Sequence, residues 1–207
     1  MAIRVDLLPG GHTFNGTNVG DSFFGQDGGD ILNGAGGADL LNGGVGDDVL
    51  NGGDGIDTAD YSNGTILDDG NVLRGYTGAT AGVRVDLNIA VAQNTGGAGR
   101  DTLIGIENIK GTAFTSGDTL IGNDGANRLE GLAGNDCLFG NAGADHLFGG
   151  VDGDVLNGGA GADLLDGGGD ADTASYIGAA AAVTLNLGVA GAQAGAGGDT
   201  LIRAFRV

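Results

Sequence analysis

The chain has 207 residues, a length that suits one or two domains. Its 48 glycines do not recur at every third position and only one proline accompanies them, which excludes collagen. The 27 acidic residues outnumber the 8 basic ones and give a formal net charge of -19. Because so few cations could neutralise phosphates, no nucleic-acid partner is expected.

Residues 1–15 are predicted to form an N-terminal cap, because Ile3, Val5 and Leu7 alternate with polar residues as in a β-strand. The segment contains no long apolar run. We therefore expect neither a cleavable signal peptide nor a membrane span.

Residues 16–61 form a first array of nine-residue units. The entry unit, residues 16–24, is degenerate because Val19 stands where later units have glycine. Four regular units follow at residues 25–60, with glycine favoured at positions one, two and four, aspartate at position six and a large apolar residue at position eight. Ala59 takes the eighth position of the last unit, where we expect the stack to end and to need less core.

Residues 62–112 are predicted to be a linker with β-strands, since the nine-residue period is lost there. Residues 62–82 have a loop-like composition. Val83, Val85 and Leu87 alternate with polar residues, which predicts a half-buried strand.

Residues 113–176 form a second array, with a degenerate start at Asp118 and regular units from Gly122 to Ser175. Ala174 takes position eight of the last unit, as Ala59 does in the first array. The other units carry leucine at this position: Leu120, Leu129, Leu138, Leu147, Leu156 and Leu165.

The chain is a duplicated unit of array plus linker. DTADY at residues 57–61 recurs as DTASY at residues 172–176, and VRVDL from Val83 is matched by VTLNL from Val183. Residues 177–207 are therefore either a second, truncated linker or a C-terminal secretion signal.

Each regular unit matches G-G-x-G-x-D-x-U-x, where U is a large apolar residue, so the chain resembles the calcium-binding proteins of the repeats-in-toxin (RTX) family. The resemblance implies an all-β fold, a right-handed parallel β-roll (β-helix) of two tandem nonapeptide arrays with short β linkers. It also implies several bound Ca²⁺ ions, export by type I secretion machinery and an extracellular or cell-surface location.

A nine-residue unit can supply a six-residue turn and a three-residue strand, so two units make one coil of eighteen residues. Position-eight leucines would then stack inside the roll, and position-six aspartates of units n and n+2 would meet at its edges. Carboxylate and glycine carbonyl oxygens suit Ca²⁺ better than Zn²⁺ or Mg²⁺. One leucine per unit makes a thin core and unneutralised carboxylates repel, so we expect the arrays to be largely unfolded without calcium.

In the first array this stacking pairs Asp21 with Asp39, Asp39 with Asp57, and Asp30 with Asp48, which gives three sites at most. The second array adds up to five sites, or up to about eight in all, in two columns: Asp118, Asp136, Asp154 and Asp172, and Asn127, Asp145 and Asp163. Sites that involve the neutral Asn127 or the degenerate turn before Asp118 are expected to be the weakest.

The candidate calcium ligands are the position-six residues together with turn residues at positions one, three and four. Asp152 and Asp170 replace the glycine at position four, which aspartate tolerates because it visits the left-handed region. The candidates are Asp21, Gly25, Asp27, Gly28, Asp30, Gly34, Gly36, Gly37, Asp39, Gly43, Gly46, Asp48, Gly52, Asp54, Gly55, Asp57, Asp118, Gly122, Asp124, Asn127, Gly131, Gly134, Asp136, Gly140, Gly143, Asp145, Gly149, Asp154, Gly158, Gly161, Asp163, Gly167 and Asp172.

Two plainer interpretations compete with the metal sites. An acidic chain poor in aromatic residues is typical of disorder, and a single aspartate after glycine is typical of an Asx-turn. The strict register of aspartate and leucine favours metal-dependent folding over both. Apolar residues at position seven mark either an association face or a thinly covered sheet: Ile31, Leu40, Val49, Val155 and Leu164.

We expect no enzymatic activity from this chain, because His12 and His146 have no serine, cysteine or glutamate partner at a recognised spacing. Cys137 stands alone and can form no intramolecular disulfide. One hypothesis is a secreted calcium-binding module with a structural role at the cell surface or in the matrix. The other is the C-terminal repeat region of a larger secreted enzyme (protease, lipase or polysaccharide epimerase), or an adhesin that binds carbohydrate through calcium.

Overall fold

A computed structural model describes residues 3–5, 10–67, 73–178, 191–192, 199–202 and 205–206. Their regular elements are β-strands, numbered β1 to β23 along the chain. No helix that could cross a membrane occurs among these residues. The VTLNL motif at Val183 and most of residues 177–207, the predicted linker or secretion signal, lie outside them.

The repeating coil has eighteen residues, as the unit length predicts. Leu32 pairs with Leu50 and Leu41 pairs with Ala59, each eighteen positions apart and in parallel strands. Successive units alternate between opposite faces, because each glycine-rich turn reverses the chain before the next short strand. The chain thus folds as a parallel β-roll, a solenoid of about 8 turns.

One face of the solenoid is a ten-stranded sheet that runs through both arrays. Its strands are parallel except for the last pair, β22 and β21. In spatial order they are β1 (Ile3–Val5), β3 (Ser22–Phe24), β5 (Leu40–Asn42), β7 (Thr58–Asp60), β13 (Asn108–Lys110), β15 (Arg128–Ala133), β17 (His146–Val151), β19 (Leu164–Gly168), β22 (Thr200–Ile202) and β21 (Gly191–Ala192).

The opposite face is divided into two sheets at the linker. The five-stranded sheet of the first array has the order β11 (Gln93–Asn94), β12 (Arg100–Ile104), β6 (Val49–Gly55), β4 (Ile31–Gly37) and β2 (Thr13–Asn15). The six-stranded sheet of the second array has the order β10 (Arg84–Asp86), β14 (Thr119–Ile121), β16 (Cys137–Phe139), β18 (Val155–Asn157), β20 (Asp172–Ala174) and β23 (Phe205–Arg206). β11 is antiparallel to β12 and separates the two parallel stacks.

The stack does not end at Ala59, and that expectation is wrong. Ala59 pairs with Ile109 of the linker, and Ile109 pairs in turn with Leu129 of the second array. The unit that contains Ile109, residues 105–110, has only six residues. A search for a nine-residue period therefore does not detect it. Stacking needs only a short strand with an apolar residue at its centre, and Ile109 supplies it.

The composition of residues 62–82 predicted a loop, but part of this segment forms a β-hairpin. β8 (Gly64–Leu67) and β9 (Leu73–Tyr76) form an antiparallel hairpin. The centroid of the Tyr76 ring lies 4.3 Å from that of the Phe24 ring. The Gln26 side chain donates to the carbonyl of Gly75 and accepts from the N–H of Thr77. Because these contacts span about fifty residues of sequence, the local pattern could not reveal them.

The core of the solenoid is the predicted leucine ladder. Each position-eight leucine of the two arrays is fully buried: Leu32, Leu41, Leu50, Leu120, Leu129, Leu138, Leu147, Leu156 and Leu165. In the linker, Val83 and Val85 are buried and Leu87 is half-buried, which confirms the predicted strand there. Of the apolar residues at position seven, Ile31 is exposed, whereas Leu40, Val49, Val155 and Leu164 are half-buried.

Candidate metal centre

The residues at position six lie inside the turns and not on the surface. The most exposed of them, Asn127, shows only 4% of its surface, and the aspartates show less. Burying a carboxylate is costly unless hydrogen bonds or a cation compensate for its lost hydration. The partners of these carboxylates therefore decide what the turns can bind.

One oxygen of each stacked side chain accepts a hydrogen bond from a backbone N–H of the preceding coil. The backbone N–H of Asp21 donates to Oδ1 of Asp39 at 2.6 Å, and that of Asp39 donates to Oδ1 of Asp57 at 2.8 Å. The same bond joins Asp30 to Asp48. It recurs in the second array between Asp118 and Asp136, Asp136 and Asp154, Asp154 and Asp172, Asn127 and Asp145, and Asp145 and Asp163. The structure thus brings together the columns that the spacing predicts.

The second oxygen of most of these carboxylates is buried and has no hydrogen-bond partner. We call such turns open turns; they contain Asp39, Asp48, Asp57, Asp136, Asp145, Asp154, Asp163 and Asp172. Buried polar atoms are normally paired, so a row of unpaired carboxylate oxygens is a donor set that fits a cation.

Glycine at position one keeps the space beside this oxygen clear. A methyl group on Gly34 would overlap the Asp39 carboxylate and lie 2.6 Å from the carbonyl oxygen of Gly52 in the next coil. Gly131 faces Asp136 and the Gly149 carbonyl in the same way. Five open turns, those of Asp39, Asp57, Asp136, Asp145 and Asp154, thus gather carboxylate and carbonyl oxygens around a position that a side chain would fill. These hard oxygen donors fit Ca²⁺.

All position-one glycines among the candidates are buried. They are Gly25, Gly34, Gly43, Gly52, Gly122, Gly131, Gly140, Gly149, Gly158 and Gly167.

Position four requires left-handed backbone, and seven candidate glycines supply it: Gly28, Gly37, Gly46, Gly55, Gly134, Gly143 and Gly161. Asp152 and Asp170 take this conformation too, with φ of 74° and 64°, as expected for aspartate. At position three Gly36 is buried, whereas Asp27, Asp54 and Asp124 are exposed.

Burial raises the pKa values of the aspartates in the open turns. It raises the pKa of Asp136 to about 8, and the charges of Asp118, Asp154 and Asp152 add to the shift. Burial likewise raises the pKa of Asp48 and of Asp154 to about 7. Burial therefore disfavours the charged form of these carboxylates, and a divalent cation would stabilise it.

Three turns are closed, because a backbone N–H takes the place that a cation would fill. Oδ2 of Asp21 accepts from the N–H of Thr17 at 2.8 Å, and Oδ2 of Asp118 accepts from that of Thr112 at 2.6 Å. The side-chain oxygen of Asn127 accepts from the N–H of Asn123 at 2.8 Å. Asp21 and Asp118 lie at the degenerate starts of the arrays and Asn127 lies in the first regular unit of the second array; calcium binding by these residues stays a prediction.

The linker continues the columns with residues that the sequence analysis did not single out. The N–H of Asp48 donates to Asp101, that of Asp57 donates to Glu107, and that of Asp163 donates to Asp199. GGAGRDTLI at residues 96–104 fits the nonapeptide and could have revealed Asp101. Glu107 follows a shortened turn and carries no such signal.

A tyrosine accompanies two of these linker aspartates: Tyr61 is buried and Tyr176 is half-buried. Burial raises the pKa of Tyr61, and the neighbouring charges of Asp101 and Asp48 raise it further. Tyr176 stands in the same relation to Asp199 and Asp163. The duplicated DTADY and DTASY motifs thus place an equivalent tyrosine beside the carboxylates of each linker.

The family model of the RTX calcium-binding nonapeptide repeat matches residues 24–59, 112–147 and 139–174, with 4 copies of the repeat. No curated protein matches the chain. The matched residues coincide with the stacked turns and contain all the open turns. The chain therefore belongs to the RTX hemolysin-type calcium-binding repeat proteins.

Proposed function

We propose that this chain is a secreted structural module that calcium folds outside the cell. The observation that supports it most directly is the row of eight buried carboxylate oxygens without a hydrogen-bond partner. Each such oxygen opposes folding until a cation neutralises it. The leucine ladder buries only one large side chain in nine residues, so its burial offsets little of the entropy cost of ordering the backbone.

The calcium concentration then decides where the chain folds. Extracellular calcium modules typically have dissociation constants of about 10⁻⁴ to 10⁻³ M. Sites of that strength stay empty at the low calcium of the cytosol and fill outside the cell. An unfolded chain is suited to export by type I secretion machinery, and the folded solenoid is suited to a structural role at the cell surface or in the matrix.

Calcium-driven folding is tested by far-ultraviolet circular dichroism during a titration from chelator to millimolar calcium. We expect a coil-to-β transition with calcium and none with magnesium, because Mg²⁺ demands near-ideal octahedral geometry and gives up its water reluctantly. A full β spectrum in chelator would overturn the proposal. An equal response to both ions would overturn its selectivity.

A second candidate function is an adhesin, and one surface feature favours it. A groove of about 500 Å³ runs along the outer face of the second array and is lined by Arg128, Glu130, Phe148 and Asp166. The Arg128 guanidinium lies over the Phe148 ring, 4.0 Å from its centre. Charged groups around an aromatic side chain suit a polar ligand such as carbohydrate. Glycan binding that Phe148→Ala abolishes without loss of calcium-induced β structure would support this role.

A further inference from the structure

The joint between the two arrays contains an unusual turn. The six-residue unit at residues 105–110 is three residues shorter than a repeat, and it carries Glu107 where a repeat carries aspartate. The N–H of Asp57 donates to Oε2 of Glu107 at 2.8 Å, the same distance at which Asp39 donates to Asp57. The longer glutamate side chain thus occupies the position that aspartate holds in a full-length turn.

The space beside Asp57 resembles that of an open turn inside an array. Asp57 is completely buried and its Oδ2 has no hydrogen-bond partner. A methyl group on Gly52 would overlap both this oxygen and the carbonyl oxygen of Gly105. Gly34 faces Asp39 and the Gly52 carbonyl in the same manner, so the linker residue Gly105 supplies the carbonyl that a repeat glycine supplies elsewhere.

The next level of the same column is built differently. Asn127 donates from Nδ2 to the carbonyl oxygen of Glu107 at 2.7 Å, and its Oδ1 accepts from the N–H of Asn123. Both ends of the amide therefore have protein partners. An aspartate at this position would leave the Glu107 carbonyl and a carboxylate oxygen facing each other without a proton or a cation between them.

We propose that Asp57, Glu107 and the Gly105 carbonyl form a calcium site that joins the linker to the first array, and that Asn127 closes the next level without an ion. The site contains two carboxylates and a carbonyl, a donor set for a hard divalent cation. This inference rests on the proposed calcium-dependent folding. It extends calcium binding to a segment outside the nonapeptide repeats.

The test is the number of calcium ions bound per full-length chain, measured by equilibrium dialysis at saturating calcium. Glu107→Gln keeps the shape of the side chain but removes its charge, so we expect one ion fewer per chain. Asn127→Asp supplies the missing carboxylate, and we expect one ion more. Glu130→Gln is the matched control, because Glu130 lies on a neighbouring strand and pairs with Arg128 at 2.6 Å. Its ion count should equal that of the wild type.

The possible outcomes separate this proposal from the proposed function. Wild-type protein that binds no calcium overturns both. Wild-type protein that folds with calcium, together with unchanged counts in Glu107→Gln and Asn127→Asp, overturns the joint site alone. If Glu107→Gln fails to fold, Asn127→Asp decides: a gain of one ion supports the assignment, and an unchanged count overturns it.

Discussion

Asp21 and Asp39 occupy the same position of neighbouring coils, yet their turns differ. Oδ2 of Asp39 is buried without a partner, whereas Oδ2 of Asp21 accepts from the backbone and the hydroxyl of Thr17. An aspartate at position six is therefore not enough to make a cation site. The chain before it decides whether the carboxylate meets an N–H group: Thr17 donates from four residues upstream of Asp21, and Thr112 donates from six residues upstream of Asp118.

The largest difference between open and closed turns should come from filling the empty space itself. Gly34→Ala places a methyl group against the Asp39 carboxylate and the Gly52 carbonyl, so we expect the calcium midpoint of folding to rise by about tenfold or more, about 1.4 kcal/mol. Gly36→Ala is the control, because its methyl group would meet no atom closer than 3.6 Å. Calcium titrations followed by circular dichroism measure both midpoints. Equal midpoints would contradict the assignment of a calcium ion to the turn formed by Gly34, Asp39 and the Gly52 carbonyl.

A smaller difference is expected from removing the carboxylates. Asp39→Ala removes the carboxylate of an open turn, so it should cost at least one calcium ion per chain. Asp21→Ala changes a closed turn, whose carboxylate already accepts from Thr17, and should cost no ion. Equilibrium dialysis of the two variants measures the loss. An equal loss in both would contradict the distinction between open and closed turns.

The smallest predicted effect is a pH dependence confined to the empty open turns. Burial raises the pKa values of Asp48 and Asp154 to about 7 and that of Asp136 to about 8, above the ordinary aspartate value of 3.8. Between those values the folded chain holds more protons than the unfolded chain, so without calcium its stability falls as pH rises. We expect more β structure at pH 5 than at pH 8 in calcium-free buffer, measured by circular dichroism.

Saturating calcium is the control for this pH dependence. A bound cation takes the place of the protons, so β structure should persist at pH 8 when calcium is present. A calcium-free chain that gains β structure on going from pH 5 to pH 8 would contradict the pKa shifts.

Sequence periodicity predicted the regular part of the structure because each repeat position has a fixed structural role. Leucine at position eight fills the core, and aspartate at position six accepts a hydrogen bond in the turn. Leu32 and Leu50 are both buried and paired, and Asp39 and Asp57 are hydrogen-bonded, as the nine-residue unit requires. The same rule failed at Ala59, where the stack continues through Ile109. A unit of six residues can stack in register but cannot be found by searching for a period of nine.

Other features depend on contacts that no local pattern encodes. Asn42 and Asp60 point outward at position nine of their units but are buried, because the chain after β7 returns over them and Ser62 hydrogen-bonds to both. Closure of the turns at Asp21 and Asn127 depends likewise on the direction of the N–H at position two. The sequence shows Thr17 there but not that its N–H points at Asp21.

The ten-stranded sheet makes the molecule a one-dimensional chain of nearest neighbours, in which each coil contacts chiefly the coils before and after it. Order that begins in either array can then propagate coil by coil, since each aspartate anchors the backbone of its predecessor. At the joint, the coupling passes through β13 and the amide of Asn127 on one face. On the other face it passes through β10 and β11, where the N–H of Arg84 donates to the Thr95 carbonyl and that of Asp86 donates to Gln93. The strength of these links sets whether the two arrays melt together or one after the other.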